Sequence, residues 1–228
     1  MENSSINIDL PTLFAAVSQR LNAERGVLNA ADPYNGNHGD HMIEIFEAGA
    51  EAQNHLDPGN LPAGMRAAAR KLLTLRDNGS AQVCSRGLDS LGDSFEKAGV
   101  SLEDLAAFVR QTLEKPAETV RPGAPGEAPG NGKSQVLKAL VNGLSGWKQR
   151  EKSAGEGVEA AAGGTGRTNM STLFDLGIAY MQAKQRSSSQ VEAIADAAVS
   201  SSPLNEVPYR AQSGKLAIQA FLEGMLRQ

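Results

Sequence analysis

Asp9-Leu10-Pro11-Thr12-Leu13-Phe14-Ala15-Ala16-Val17-Ser18-Gln19-Arg20-Leu21 is the stretch from which the fold is read. Its apolar residues Leu10, Leu13, Phe14, Val17 and Leu21, with Leu28 beyond them, recur at steps of three, four and seven. That spacing places them along one face of an α-helix. Asp9 is a suitable cap, and Pro11 suits a first helical turn, where its missing N–H costs nothing. The same period returns along the chain. A second helix is expected near Gly39 or Asp40, carrying Met42, Ile45, Phe46 and Gly49, and a third over 63–75. A fourth follows Asp77-Asn78-Gly79 and carries Val83, Leu88, Leu91 and Phe95. Ser101 and Asp104 form a capping-box pattern ahead of Leu105, Phe108 and Val109. Further helices are expected through Val136 to Trp147, over 172–185, 190–200 and 214–226, with Pro203 and Pro208 interrupting before the last. No strand-like alternation bounded by hairpin turns competes with this pattern, so the predicted class is all-α, in one domain over 1–228.

The composition narrows the function classes. Hydrophobic residues make up 40% of the 228 residues, enough for a sizeable core, but only 4% are aromatic, so that core must be built mainly from Leu, Ala, Val, Ile and Met. Lys and Arg number 22 against 26 Asp and Glu, a net charge of −4, which argues against a dedicated nucleic-acid binder. A single cysteine, Cys84, excludes an intrachain disulfide and a Cys-rich zinc site. Within its predicted helix it reads as a structural thiol. The first nine residues lack the basic-then-apolar layout of a signal peptide. No apolar run reaches the ~18 residues of a membrane span. The expected compartment is therefore the cytoplasm. Two stretches, 116–132 and 155–166, are rich in Gly with Pro or Ala and are expected to be flexible. The first runs into Gly126-Glu127-Ala128-Pro129-Gly130-Asn131-Gly132-Lys133-Ser134. This is not a Walker A loop, because no strand precedes it; Lys133 and Ser134 read as a helix start.

The densest polar cluster is Asp32-Pro33-Tyr34-Asn35-Gly36-Asn37-His38-Gly39-Asp40-His41-Met42. On residue chemistry alone, an Asn-Gly turn followed by an Asp cap is the simpler account. The alternative is a ligand site. Asp, Asn and His all supply metal donors, and the next helix start can hold an anion. His38 and His41, three apart, could share a helix face, although such a pair by itself more often lies at a surface or a cap.

At this cluster the chain resembles the DhaL family, the nucleotide-binding subunit or domain of dihydroxyacetone kinases. The family motif runs approximately L-N-x-L-D, a spacer, then D-G-D-H-G-T-N-M. Here Leu28-Asn29-Ala30-Ala31-Asp32 is followed by Asn35-Gly36-Asn37-His38-Gly39-Asp40-His41-Met42. Three later landmarks keep the family order. Asn78-Gly79-Ser80, running to Arg86-Gly87, is similar to its Gly/Ser phosphate loop. Gly132-Lys133-Ser134 through Lys138-Ala139-Leu140 is similar to its G-D-K-T-M-L-D-A-L helix start. Ser202-Pro203-Leu204 through Gln212-Ser213-Gly214 is similar to its Y-L-G to D-P-G-A segment.

The resemblance implies an eight-helix antiparallel barrel or bundle closed at one end by loops that bind ADP or ATP with Mg2+. It would put Asp32, Asn35 and Asn37 in the places of the three metal-holding aspartates, with His41 as an added ligand. His38, Asp40, Gly79 and Ser80 would lie near the phosphates. An active chain would be a glycerone-kinase-like phosphotransferase that needs a DhaK-like substrate-binding or phosphocarrier partner. The resemblance assigns no catalytic residue. The sequence departs from the motif at several places. Asn35 and Asn37 replace carboxylates, Asp40 replaces Thr, Lys138 and Gln212 stand where Asp is usual, and the spacer after Asp32 is about two residues short. The expected site is therefore remodelled. Two alternatives stand beside the nucleotide reading: a non-catalytic interaction or regulatory protein on the same scaffold, and a transition-metal site built from Asp32, His38, Asp40 and His41.

Overall fold

The computed structural model describes residues 9–57, 59–114, 131–155, 182 and 189–227. Among these, all regular structure is helical. The elements are α1 (Leu10–Ala23), α2 (Arg25–Ala30), α3 (His38–Glu51), α4 (Leu61–Leu72), α5 (Gly79–Ala98), α6 (Leu102–Glu114), α7 (Asn131–Gly155) and α8 (Gln190–Ser200). A 3-10 turn (Pro203–Glu206) then leads into α9 (Pro208–Arg227). Of the expected segments, 116–130, 156–166 and 172–185 except residue 182 lie outside the described residues, whereas 131–132 and 155, expected to be flexible, are helical at the two ends of α7.

Local chemistry sets most of the boundaries. Asp9 accepts from the Thr12 amide at 2.7 Å and opens α1 as expected. The capping box at Ser101 and Asp104 forms in both directions, at 3.0 and 3.1 Å. Gly99 takes φ +64° after α5, the left-handed conformation that only glycine adopts without strain. The helix expected over 63–75 runs over Leu61–Leu72, and two larger departures stand beside it. The periodicity through Leu28 is split between α1 and the short α2, with Glu24 as the break. Pro208 does not interrupt a helix but begins one, so α9 starts six residues earlier than Gly214. Proline at a first helical position removes an amide that has no intrahelical partner anyway.

The helices are joined in a closed circuit of neighbours: α1 on α3, α3 on α4, α4 on α5, α5 on α7, α7 on α6, α6 on α9, and α9 back on α1. α8 packs on α9. Inside the circuit the apolar stripe of α1 is fully buried: Leu10, Leu13, Phe14, Val17 and Leu21. Phe14 is the hub, with ring centroids of Phe46 and Phe221 at 5.6 and 6.5 Å. Because aromatics are few, close backbone approach replaces bulk. A Cβ on Gly49 would fall 2.7 Å from the Phe14 ring, and one on Gly87 would fall 2.8 Å from Trp147. Either substitution would overpack the core. Outside, Arg66 and Arg150 from α4 and α7 both reach Asp93 on α5. These pairs are partly exposed and contribute little to stability. Among the described residues no helix is long and apolar enough to cross a membrane.

Candidate functional site

Three helix beginnings meet at one place. The loop after α2 and the first turn of α3 bring Asp32, Tyr34, Asn35, His38 and His41. The loop before α5 and its first turn bring Asp77, Gly79 and Ser80, and the first turn of α9 brings Tyr209 and Arg210. Together they line a cleft of about 240 Å3. The first turn of a helix carries amides without intrahelical partners and the positive end of the helix dipole, so such a meeting point favours an anion.

His38 is the pivot. It is 2% exposed, and both ring nitrogens have partners: Nε2 lies 2.8 Å from Ser213 Oγ on α9, and Nδ1 lies 3.4 Å from Ser80 Oγ on α5. The Ser213 hydroxyl also donates to the Arg210 carbonyl at 3.1 Å. The Tyr209 ring packs edge-on to the imidazole, with centroids 4.6 Å apart. Burial pushes the His38 pKa down to about 4. The Asp32 charge and a bond to the Tyr209 backbone oppose that shift, while Arg210 and His41 add to it. The ring is therefore neutral at pH 7 and ties three helices together without carrying charge.

The start of α3 is held from outside the helix. Asn37 occupies the cap position but makes no capping bond, and its buried Oδ1 has no partner. Asn29, at the end of α2, does the capping: its Oδ1 accepts from the amides of Gly39 and Asp40 at 2.7 and 3.2 Å. Its Nδ2 donates to Asp40 Oδ2 at 2.8 Å. Asp40 also forms an ion pair with Arg25. A Cβ on Gly39 would fall 2.7 Å from the Arg25 carbonyl oxygen and 2.8 Å from Asn29 Oδ1, so this approach requires glycine. The start of α5 is capped by its own Asn78, whose Oδ1 accepts from the Ala81 amide at 2.9 Å. The same side chain donates to the His41 carbonyl at 2.9 Å and to Glu44 Oε2 at 3.0 Å, binding α5 to α3.

Of the residues singled out in the sequence, Asp32, Asn35, His38, His41, Gly79 and Ser80 share the cleft. Asn37 and Asp40 do not line it: one is turned into the protein and the other is engaged by Arg25 and Asn29. The quartet Asp32, His38, Asp40 and His41 is therefore not gathered at one point. Among the described residues, no group of three or more His, Cys, Asp or Glu side chains is placed to hold a metal.

The sequence reading did not single out Asp77, Tyr209 or Arg210 as site residues. The signal for the last two was Pro208: read as a first helical residue, it puts Tyr209 and Arg210 in the first turn of α9. Cys84, half-buried on α5, packs beside the core cluster of Val17, Met42 and Leu72 and is not in the cleft. Compared with models of known families, with curated proteins and with solved structures, the chain matches none.

Proposed function

We propose that the chain is a divergent DhaL-type protein that binds the phosphate end of ADP or ATP in this cleft. One observation carries the reading. Residues named by the family resemblance at distant points of the sequence, Asp32 and Asn35, His38, then Gly79 and Ser80, line a single cleft. A further landmark, Ser213, is hydrogen-bonded to His38 from α9. The closed circuit of helices is what a barrel of this type requires. The volume is also informative. At about 240 Å3 the cleft falls below the ~300 Å3 or more of pockets that enclose a drug-sized ligand. It suits a diphosphate whose nucleoside extends outward past Tyr34, which is 83% exposed.

The donors fit magnesium only in part. Asp32, Asp77 and Asn35 line the cleft, two carboxylates and one amide. Magnesium commonly binds through one or two carboxylates plus substrate phosphates and retains several waters. Asp32 and Asp77 would hold such an ion once the phosphates bring it, and it would neutralise charge on them. The set does not make a cage that retains the metal alone. For an active chain, the phosphoryl group would pass to a substrate on a DhaK-like or phosphocarrier partner docked over the mouth. The same low carboxylate count supports the second reading, a regulatory or interaction protein on this scaffold that transfers no phosphoryl group.

Calorimetric titration of ADP with magnesium tests the proposal. Wild type should bind weakly, and Asn35→Asp, which adds a carboxylate at the cleft, should tighten magnesium-dependent binding about threefold to tenfold. A wild-type protein that takes up neither ADP nor ATP would sink the nucleotide reading. Nucleotide binding with no phosphoryl exchange on any supplied carrier would select the regulatory one.

A further inference from the structure

We propose that Arg210 is the residue that grips the phosphate in the cleft. The inference rests on the phosphate-binding reading above and names the group that makes it work.

Among the described residues lining the cleft, Arg210 is the one Lys or Arg side chain. His38 beside it is held neutral by burial, so the fixed positive charge of this part of the site is the guanidinium. Several basic side chains around the fold are already engaged by carboxylates. Arg25 pairs with Asp40, Arg66 with Asp93 and Glu96, Arg150 with Asp89 and Asp93, and Lys215 with Glu192 and Asp196. Arg210 forms no salt bridge with any described carboxylate. Its Nε is buried and has no hydrogen-bond partner. The guanidinium therefore keeps hydrogen-bonding capacity that no described protein group uses.

The guanidinium is also positioned. Its carbon lies 5.9 Å from the centroid of the Tyr209 ring, and the Arg210 carbonyl is fixed by the Ser213 hydroxyl that bonds to His38. The backbone that carries it is thus locked to the first turns of α3 and α5. A planar guanidinium offers paired N–H groups that match two phosphate oxygens, an arrangement that lysine does not reproduce. The carboxylates of Asp32 and Asp77 in the same cleft oppose a bare anion, so a diphosphate needs a cation on its other side. Arg210 supplies it whether or not magnesium is present.

The test is calorimetric titration of ADP and of inorganic pyrophosphate into wild type, Arg210→Lys and Arg210→Gln, each with magnesium and again with EDTA. Unliganded melting curves establish that the variants fold. The expected result is binding by wild type, a loss of about tenfold or more in Arg210→Gln in both buffers, and a smaller loss in Arg210→Lys. Wild-type binding that Arg210→Gln leaves unchanged would overturn the assignment while leaving the phosphate cleft standing. A loss confined to the magnesium buffer would also overturn it, since Arg210 would then act only through the metal site. If Arg210→Gln fails to fold, wild-type affinity retained in Arg210→Lys would overturn it instead. Wild type binding neither ligand would take down the cleft reading, and this proposal with it.

Discussion

The beginnings of α3 and α5 face the same cleft but are built in opposite ways. α5 is opened by the residue directly before it: Asn78 satisfies the Ala81 amide, as a helix cap normally does. α3 has an equally suitable residue in the same place, Asn37, and does not use it. Its first amides are taken by Asn29, ten residues away on another helix. The difference follows from what each beginning must hold. α5 needs only an anchor to α3, which the second end of Asn78 provides through the His41 carbonyl and Glu44. α3 must place His38 between Ser80 and Ser213, and Asp40 must be kept out of the cleft by Arg25 and Asn29. Under the proposed phosphate-binding reading, a carboxylate beside the phosphate would repel it, and the borrowed cap keeps Asp40 away.

Four measurements would break or sharpen this contrast. The largest effect concerns the point where the two beginnings meet. His38 has a folded pKa of about 4 against an ordinary 6.5. As pH falls the unfolded chain takes up the proton first, so stability is lost progressively from pH 6.5 down to about 4. Between pH 7.5 and 4.5 this contribution is roughly 2–3 kcal/mol. Urea unfolding at both pH values should show that much more acid destabilisation in wild type than in His38→Gln; equal losses would mean that His38 titrates normally. Next, Asn78→Ala removes a cap and two bonds to α3 from a residue only 2% exposed. It should cost about 2 kcal/mol, measured as a shift in the unfolding midpoint. Asn29→Ala should cost about 1.5 kcal/mol, since it frees the Gly39 and Asp40 amides and one oxygen of Asp40. Its second signature is functional: Asp40 loses a restraint, so ADP affinity should fall as well. The smallest effect decides the comparison. Asn37→Ala deletes a side chain that caps nothing and whose buried Oδ1 is unpaired, and should leave stability unchanged or raise it by up to about 1 kcal/mol. A loss as large as that of Asn29→Ala would show that Asn37 is the working cap.

Much of the fold was legible because its signals are local. Leu10, Leu13, Phe14, Val17 and Leu21 lie on one buried face for the reason their spacing implies. Asp9, and Ser101 with Asp104, act on amides within three residues of themselves. The site was legible in part. The polar cluster at 32–42 and the turn at 78–80 were visible as residue types, and the cleft contains members of both. Which members face it was not visible, because neighbours in one loop point in different directions: His38 is turned to Ser213 while Asp40, two residues on, is turned to Arg25.

The amino-acid order therefore specified most of the described helices and the caps at Asp9 and Ser101, since each depends on contacts within a turn or two of the chain. The fate of the polar residues was settled by packing. His38 meets Ser213 across 175 positions, Asn29 caps a helix that is not its own, and Arg210 reaches the cleft because α9 lies against α1 and holds its first turn beside α3. A side chain's charge and partners depend on what surrounds it, and those surroundings exist only once distant helices have come together.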